Sequence, residues 1–79
     1  MKFPRDMDAT QLIKALERIG YRPVRQTGSH IRLQCEAPAH SITIPNHRPL
    51  RVGTLSAILA DIAARRKLDR DELLRELLK

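Results

Sequence analysis

The chain has 79 residues with a formal net charge of +6, a sequence pI of about 10.5, two aromatic side chains and one cysteine. A domain of this size buries only about 60% of its unfolded-chain surface, which excludes a second domain and demands a compact core of Leu, Ile, Val and Ala. One cysteine, Cys35, excludes an internal disulfide framework or a cysteine-rich metal site, and the scarcity of aromatics argues against base stacking as the main binding device. The positive charge favours an anionic partner such as nucleic acid, an acidic protein or an acidic membrane surface.

The N-terminal MKFPRDMDA has no apolar stretch of signal-peptide length, and no apolar run approaches the roughly 18 residues of a membrane span. A soluble, unexported protein of the reducing cytoplasm is therefore expected, with no membrane partner. DATQLIKALERIG carries Leu12, Ile13, Leu16 and Ile19 at helical spacing, opens with Asp8 three residues before Gln11 as a capping box, and ends at Gly20. YRPVRQ reads as a short strand that Pro23 confines to a sheet edge or a strand start. Gly28-Ser29 then forms a tight hairpin turn into HIRLQC, in which Ile31, Leu33 and Cys35 share one face and His30, Arg32 and Gln34 the other. By this alternation Cys35 is a small core hydrophobe.

EAPAHS reads as a loop containing His40, and SITIP as a third strand with Ile42 and Ile44 inward, ended by Pro45. NHRPLRVG is irregular and basic. A second helix is expected from about Thr54, with Leu55, Ile58, Leu59 and Ile62 in register, ending near Arg65-Arg66-Lys67. That cluster complements the helix dipole or touches nucleic acid. Asp69 and Glu72 make a second capping box, for a short helix carrying Leu73, Leu74, Leu77 and Leu78. The order predicts an α+β domain: a three-stranded antiparallel sheet with helices on one face, the other face presenting Arg25, His30, Arg32, Gln34 and Thr43.

Taken together, Gly28-Ser29-His30 after a short strand, the segment ITIPNHRPLRVGTLSAIL and the closing helix resemble the HicA family of toxins from bacterial toxin-antitoxin modules, from about Ala9 to Leu78. The resemblance implies an α-β-β-β-α fold similar to double-stranded-RNA-binding domains, with a short extra C-terminal helix, in one domain spanning residues 1–79. Residues 1–8, longer than the family pattern, are a flexible extension on this reading. It further implies a ribonuclease that cleaves mRNA and arrests translation, with its catalytic histidine falling on His30. The partner it implies is a cognate HicB antitoxin that covers this histidine, the free toxin being monomeric and joining a larger assembly through the antitoxin.

On residue pattern alone His30 is an ordinary exposed strand residue. The chemistry suits the family role, since histidine has an unperturbed pKa of about 6.5 and can take the proton of a ribose 2′-hydroxyl, giving a 2′,3′-cyclic phosphate and a 5′-hydroxyl without metal or cofactor. Gly28 clears space beside it, and backbone N–H groups of the turn can orient a phosphate. Ser29 is a turn former rather than a nucleophile, having no Ser-His-Asp arrangement. His47 is a leaving-group acid, a phosphate ligand or a loop residue that caps local backbone, and His40 is inert. Three histidines without regular ligand spacing make a poor zinc site. Arg25, Arg32, Arg48 and Arg51 are the expected phosphate contacts, each weakening log K with salt by about 0.7 on single strands, or else solvated charges. A non-catalytic RNA-binding module and a protein-interaction module are the alternatives to the enzyme.

Overall fold

The computed structural model describes residues 7–37 and 39–78. Helix α1 (Ala9–Glu17) is opened by Asp8, whose carboxylate accepts from the Gln11 N–H while the Gln11 side chain accepts from the Asp8 N–H. Its Ala9, Leu12, Ala15 and Leu16 are buried. The helix ends at Glu17, and a turn follows through Gly20, whose φ of +103° favours glycine and lets the chain double back so that the Tyr21 N–H reaches the Leu16 carbonyl. Of the expected N-terminal extension, residues 1–6, Phe3 and Pro4 among them, lie outside the described residues. Met7 accepts from the Leu50 N–H and Asp8 caps α1.

Strands β1 (Arg22–Thr27), β2 (His30–Glu36) and β3 (Ala39–Pro45) form an antiparallel sheet in the order β1-β2-β3. This is the expected α+β layout. Leu33, Cys35, Ile42 and Ile44 point inward and are buried with the leucines and isoleucines of the helices, and β1 lies at the edge, where its Pro23 can be accommodated. After a connection at residues 46–51, which includes a cis Arg48–Pro49 bond, come α2 (Val52–Arg66) and α3 (Arg70–Leu77). Leu55, Ile58, Leu59, Ile62 and Ala63 of α2 and Leu73, Leu74 and Leu77 of α3 complete the core. Each fully buried leucine contributes about 1.5–3 kcal/mol. Asp69 and Glu72 form the second reciprocal capping box. Leu78, expected on the apolar stripe, stays exposed just past the helix end. Among the described residues no helix is long and apolar enough to cross a membrane.

Two expectations need correction. Helix α2 starts at Val52, two residues before Thr54, and its N-cap, Arg51, makes no side-chain cap bond. The segment read as a loop is largely strand. Pairing of β2 with β3 runs on through Cys35↔His40 to Glu36↔Ala39, so His40 sits inside β3. Its ring is buried and held from both sides: Nδ1 lies 2.6 Å from the Tyr21 hydroxyl and Nε2 lies 3.2 Å from Oδ2 of Asp61 on α2. Because the carboxylate can only accept, Nε2 carries a proton toward Asp61, and in the tautomer with that single proton Nδ1 accepts from Tyr21. These two long-range partners satisfy a polar side chain in an inward strand position that local sequence disfavours.

Candidate nucleic-acid interface

The outward face of the sheet carries the candidate site. Gly28 and Ser29 are a two-residue loop closing the pair Thr27↔His30, with φ of +57° at Gly28 and no positive φ at Ser29, the pattern of a type II′ turn. Nothing lies within 4 Å of where a Gly28 Cβ would stand, so backbone torsion alone calls for glycine there. The Ser29 carbonyl accepts from the Asn46 N–H at 2.6 Å, tying the turn to the end of β3. His30 therefore begins β2 at a braced corner, opposite Thr27 on one side and Pro45 on the other, with its side chain exposed.

The next outward rung consists of Arg25, Arg32 and Thr43, paired in register across all three strands. Arg25 reaches this face by regular alternation from the turn. Thr27 pairs with His30, Gln26 with Ile31 and Arg25 with Arg32, so counting back from the turn Arg25 faces outward. A β-bulge between Pro23 and Arg25 adds Val24, left 47% exposed, and turns Arg22 outward beside Gln34. Together Arg25, Thr27, His30, Arg32 and Thr43 line a shallow concavity of about 260 Å³. Thr27 was not singled out by sequence reasoning. Its signal is its position just before the turn, which makes it the cross-strand neighbour of His30.

The remaining candidates lie elsewhere. His47, Arg48 and Arg51 are exposed on the 46–51 connection and do not line the concavity. That connection is anchored by its backbone, the His47 carbonyl accepting from the Ala9 N–H and the His47 N–H donating to Pro45. Arg65, Arg66 and Lys67 end α2, where Lys67 takes a left-handed conformation and Arg66 turns toward the Cys35 sulfur at 3.9 Å. Cys35 is buried. Among the described residues, no three His, Cys, Asp or Glu side chains come together as a metal-ligand set.

Fold and face together define a small basic α+β domain whose helices cover one side of the sheet and whose other side offers a histidine beside two arginines. A model of the HicA toxins of bacterial toxin-antitoxin systems matches residues 9–63, well over half of the chain, taking in α1, the whole sheet and most of α2. The chain belongs to the HicA toxin family, and with it to modules in which a toxin has an antitoxin partner. No curated protein and no solved structure matches it.

Proposed function

We propose that this chain is an endoribonuclease toxin that cleaves mRNA with His30 as general base, without a metal, and that a HicB-type antitoxin silences it by covering the outward face of the sheet. The observation that carries the reading is the exposed His30 in a concavity shared with Arg25 and Arg32, on the face that the core leaves free. His30 takes the proton of a ribose 2′-hydroxyl. The 2′-oxygen attacks phosphorus, the bond from phosphorus to the 5′-oxygen breaks, and the leaving oxygen gains a proton from water, giving a 2′,3′-cyclic phosphate and a 5′-hydroxyl. His47, Arg48 and Arg51 extend the basic surface for flanking phosphates, and Gly28 and Ser29 hold the histidine at its corner. Family membership supports the toxin role and the antitoxin partner.

The test is incubation of purified chain with a defined RNA in EDTA, followed by analysis of the product ends. Cleavage to cyclic phosphate and 5′-hydroxyl ends is expected. Salt-sensitive binding without scission would mean a binding module instead.

A further inference from the structure

We propose that Arg25 and Arg32 form one shared seat for a single phosphate group beside His30, with Thr43 as a hydroxyl contact. The ligand chemistry is a tetrahedral phosphate oxyanion; for its source, a phosphodiester of RNA, the proposal rests on the ribonuclease reading.

The argument starts from a cost. Directly opposed residues on one face of an antiparallel pair have Cβ atoms about 4.5–5.5 Å apart, where like charges destabilise the sheet. Arg25 and Arg32 stand in this relation. The strands contain one acidic residue, Glu36, and it is used one rung away, 3.0 Å from Arg22. Among the described residues, no carboxylate lies within ion-pair distance of Arg25 or Arg32. The fold thus pairs Arg22 with Glu36, while Arg25 and Arg32 stand opposed with no such partner among the described residues.

An anion centred between the two guanidinium forks relieves that repulsion and matches their geometry, because arginine pairs with phosphate through parallel N–H donors. The Thr43 hydroxyl, opposite Arg32 on β3, lines the same concavity. His30 lies two residues from Arg32 along β2 on the same face, roughly 7 Å by strand rise, so a phosphate in the seat is within one nucleotide of the histidine.

Two measurements decide it. Inorganic phosphate is titrated into the free chain in low-salt, phosphate-free buffer, and the arginine Nε–H resonances are followed by NMR. Arg25 and Arg32 should shift together on one saturable curve, Arg22 should not, and Arg25→Ala should weaken phosphate binding at Arg32 at least tenfold. Absence of saturation, or an equal response at Arg22, overturns the seat.

The second measurement takes the salt dependence of RNA binding in a His30→Ala background. Arg25→Ala with Arg32→Ala should lower the slope of log K against log salt by about 0.7, the value for one phosphate on a single strand. A fall of about 1.4, meaning one phosphate per arginine, overturns the shared seat, and so does no change. Arg22→Gln should leave the slope unaltered. Phosphate binding by a wild-type chain that does not cut RNA would sustain the seat and sink the ribonuclease reading; cleavage without phosphate binding would do the reverse.

Discussion

Replacing Tyr21 with phenylalanine removes one oxygen atom from the inside of the molecule. Tyr21 is 1% exposed, and its hydroxyl lies 2.6 Å from Nδ1 of His40, itself 8% exposed. Phenylalanine keeps the edge-to-face ring contact, whose centroids are 5.8 Å apart, so the change isolates the hydrogen bond. What remains is a buried nitrogen acceptor without a partner, which costs about 1–3 kcal/mol. For a domain of this size each kcal/mol lowers Tm by about 4–8 °C, so the variant should melt at least about 4 °C below the wild type in a calorimetric or circular-dichroism scan. Asp61→Asn should cost less, under about 1 kcal/mol, because the Asp61 end of the pair is open to solvent. Since His40 pairs with Cys35 near the end of β2 remote from His30, RNA cleavage per folded molecule should not change. A Tyr21→Phe variant melting within 1 °C of wild type, taking ~1 °C as well below the cost of an orphaned buried acceptor, would refute the reasoning.

The same residue gives a pH test. Tyr21 is the sole tyrosine and there is no tryptophan, so absorbance at a tyrosinate wavelength reads this phenol alone. Burial, the largest influence on it, raises its pKa above the ordinary value of about 10. The folded state therefore holds that proton more tightly than the unfolded state, a stability contribution full below the unfolded pKa and lost as pH rises through the folded one. The titration midpoint should lie above about 10 in the native chain and fall on denaturation; a native midpoint at or below the unfolded one would contradict this. At the turn, Gly28→Ala should cost about 1 kcal/mol through its positive φ alone, Gly28→Asn less, and both should keep the hairpin, as denaturant melts and NMR would record. Equal stability of Gly28→Ala and wild type would show that the turn can relax.

What sequence reasoning could reach depended on how local the signal was. The capping boxes at Asp8 and Asp69, the Gly28-Ser29 turn and the inward row Ile31, Leu33 and Cys35 are set by residues a few positions apart, and the structure carries all of them. The strand position of His40 is not legible locally, because Ala-Pro-Ala-His has no strand alternation of its own; it depends on Tyr21 and Asp61, 19 and 21 residues away. Val52 and Gly53 are weak helix formers, so the first turn of α2 carries no helical signal in the sequence. At the candidate site, Arg25 faces outward as alternation from the turn predicts, and the bulge beyond it, which alternation does not supply, turns Arg22 outward. Grouping was legible within the strands, where alternation already sets Arg25, His30, Arg32 and Thr43 on one face, and not beyond them. Arg25 and Arg32 share a concavity with His30 because of register, whereas Arg48 and Arg51, equally basic in sequence, stand on a separate connection.

The central claim is that His30 makes this toxin a ribonuclease. Wild-type and His30→Ala chains expressed under regulation in bacteria, with 5′ ends mapped across total RNA, test it most directly. New 5′-hydroxyl ends in mRNA and arrested growth are expected with the wild type, and neither with His30→Ala, whose circular dichroism and melting should match the wild type because the replaced side chain is exposed. The same cleavage pattern from both chains would contradict the account.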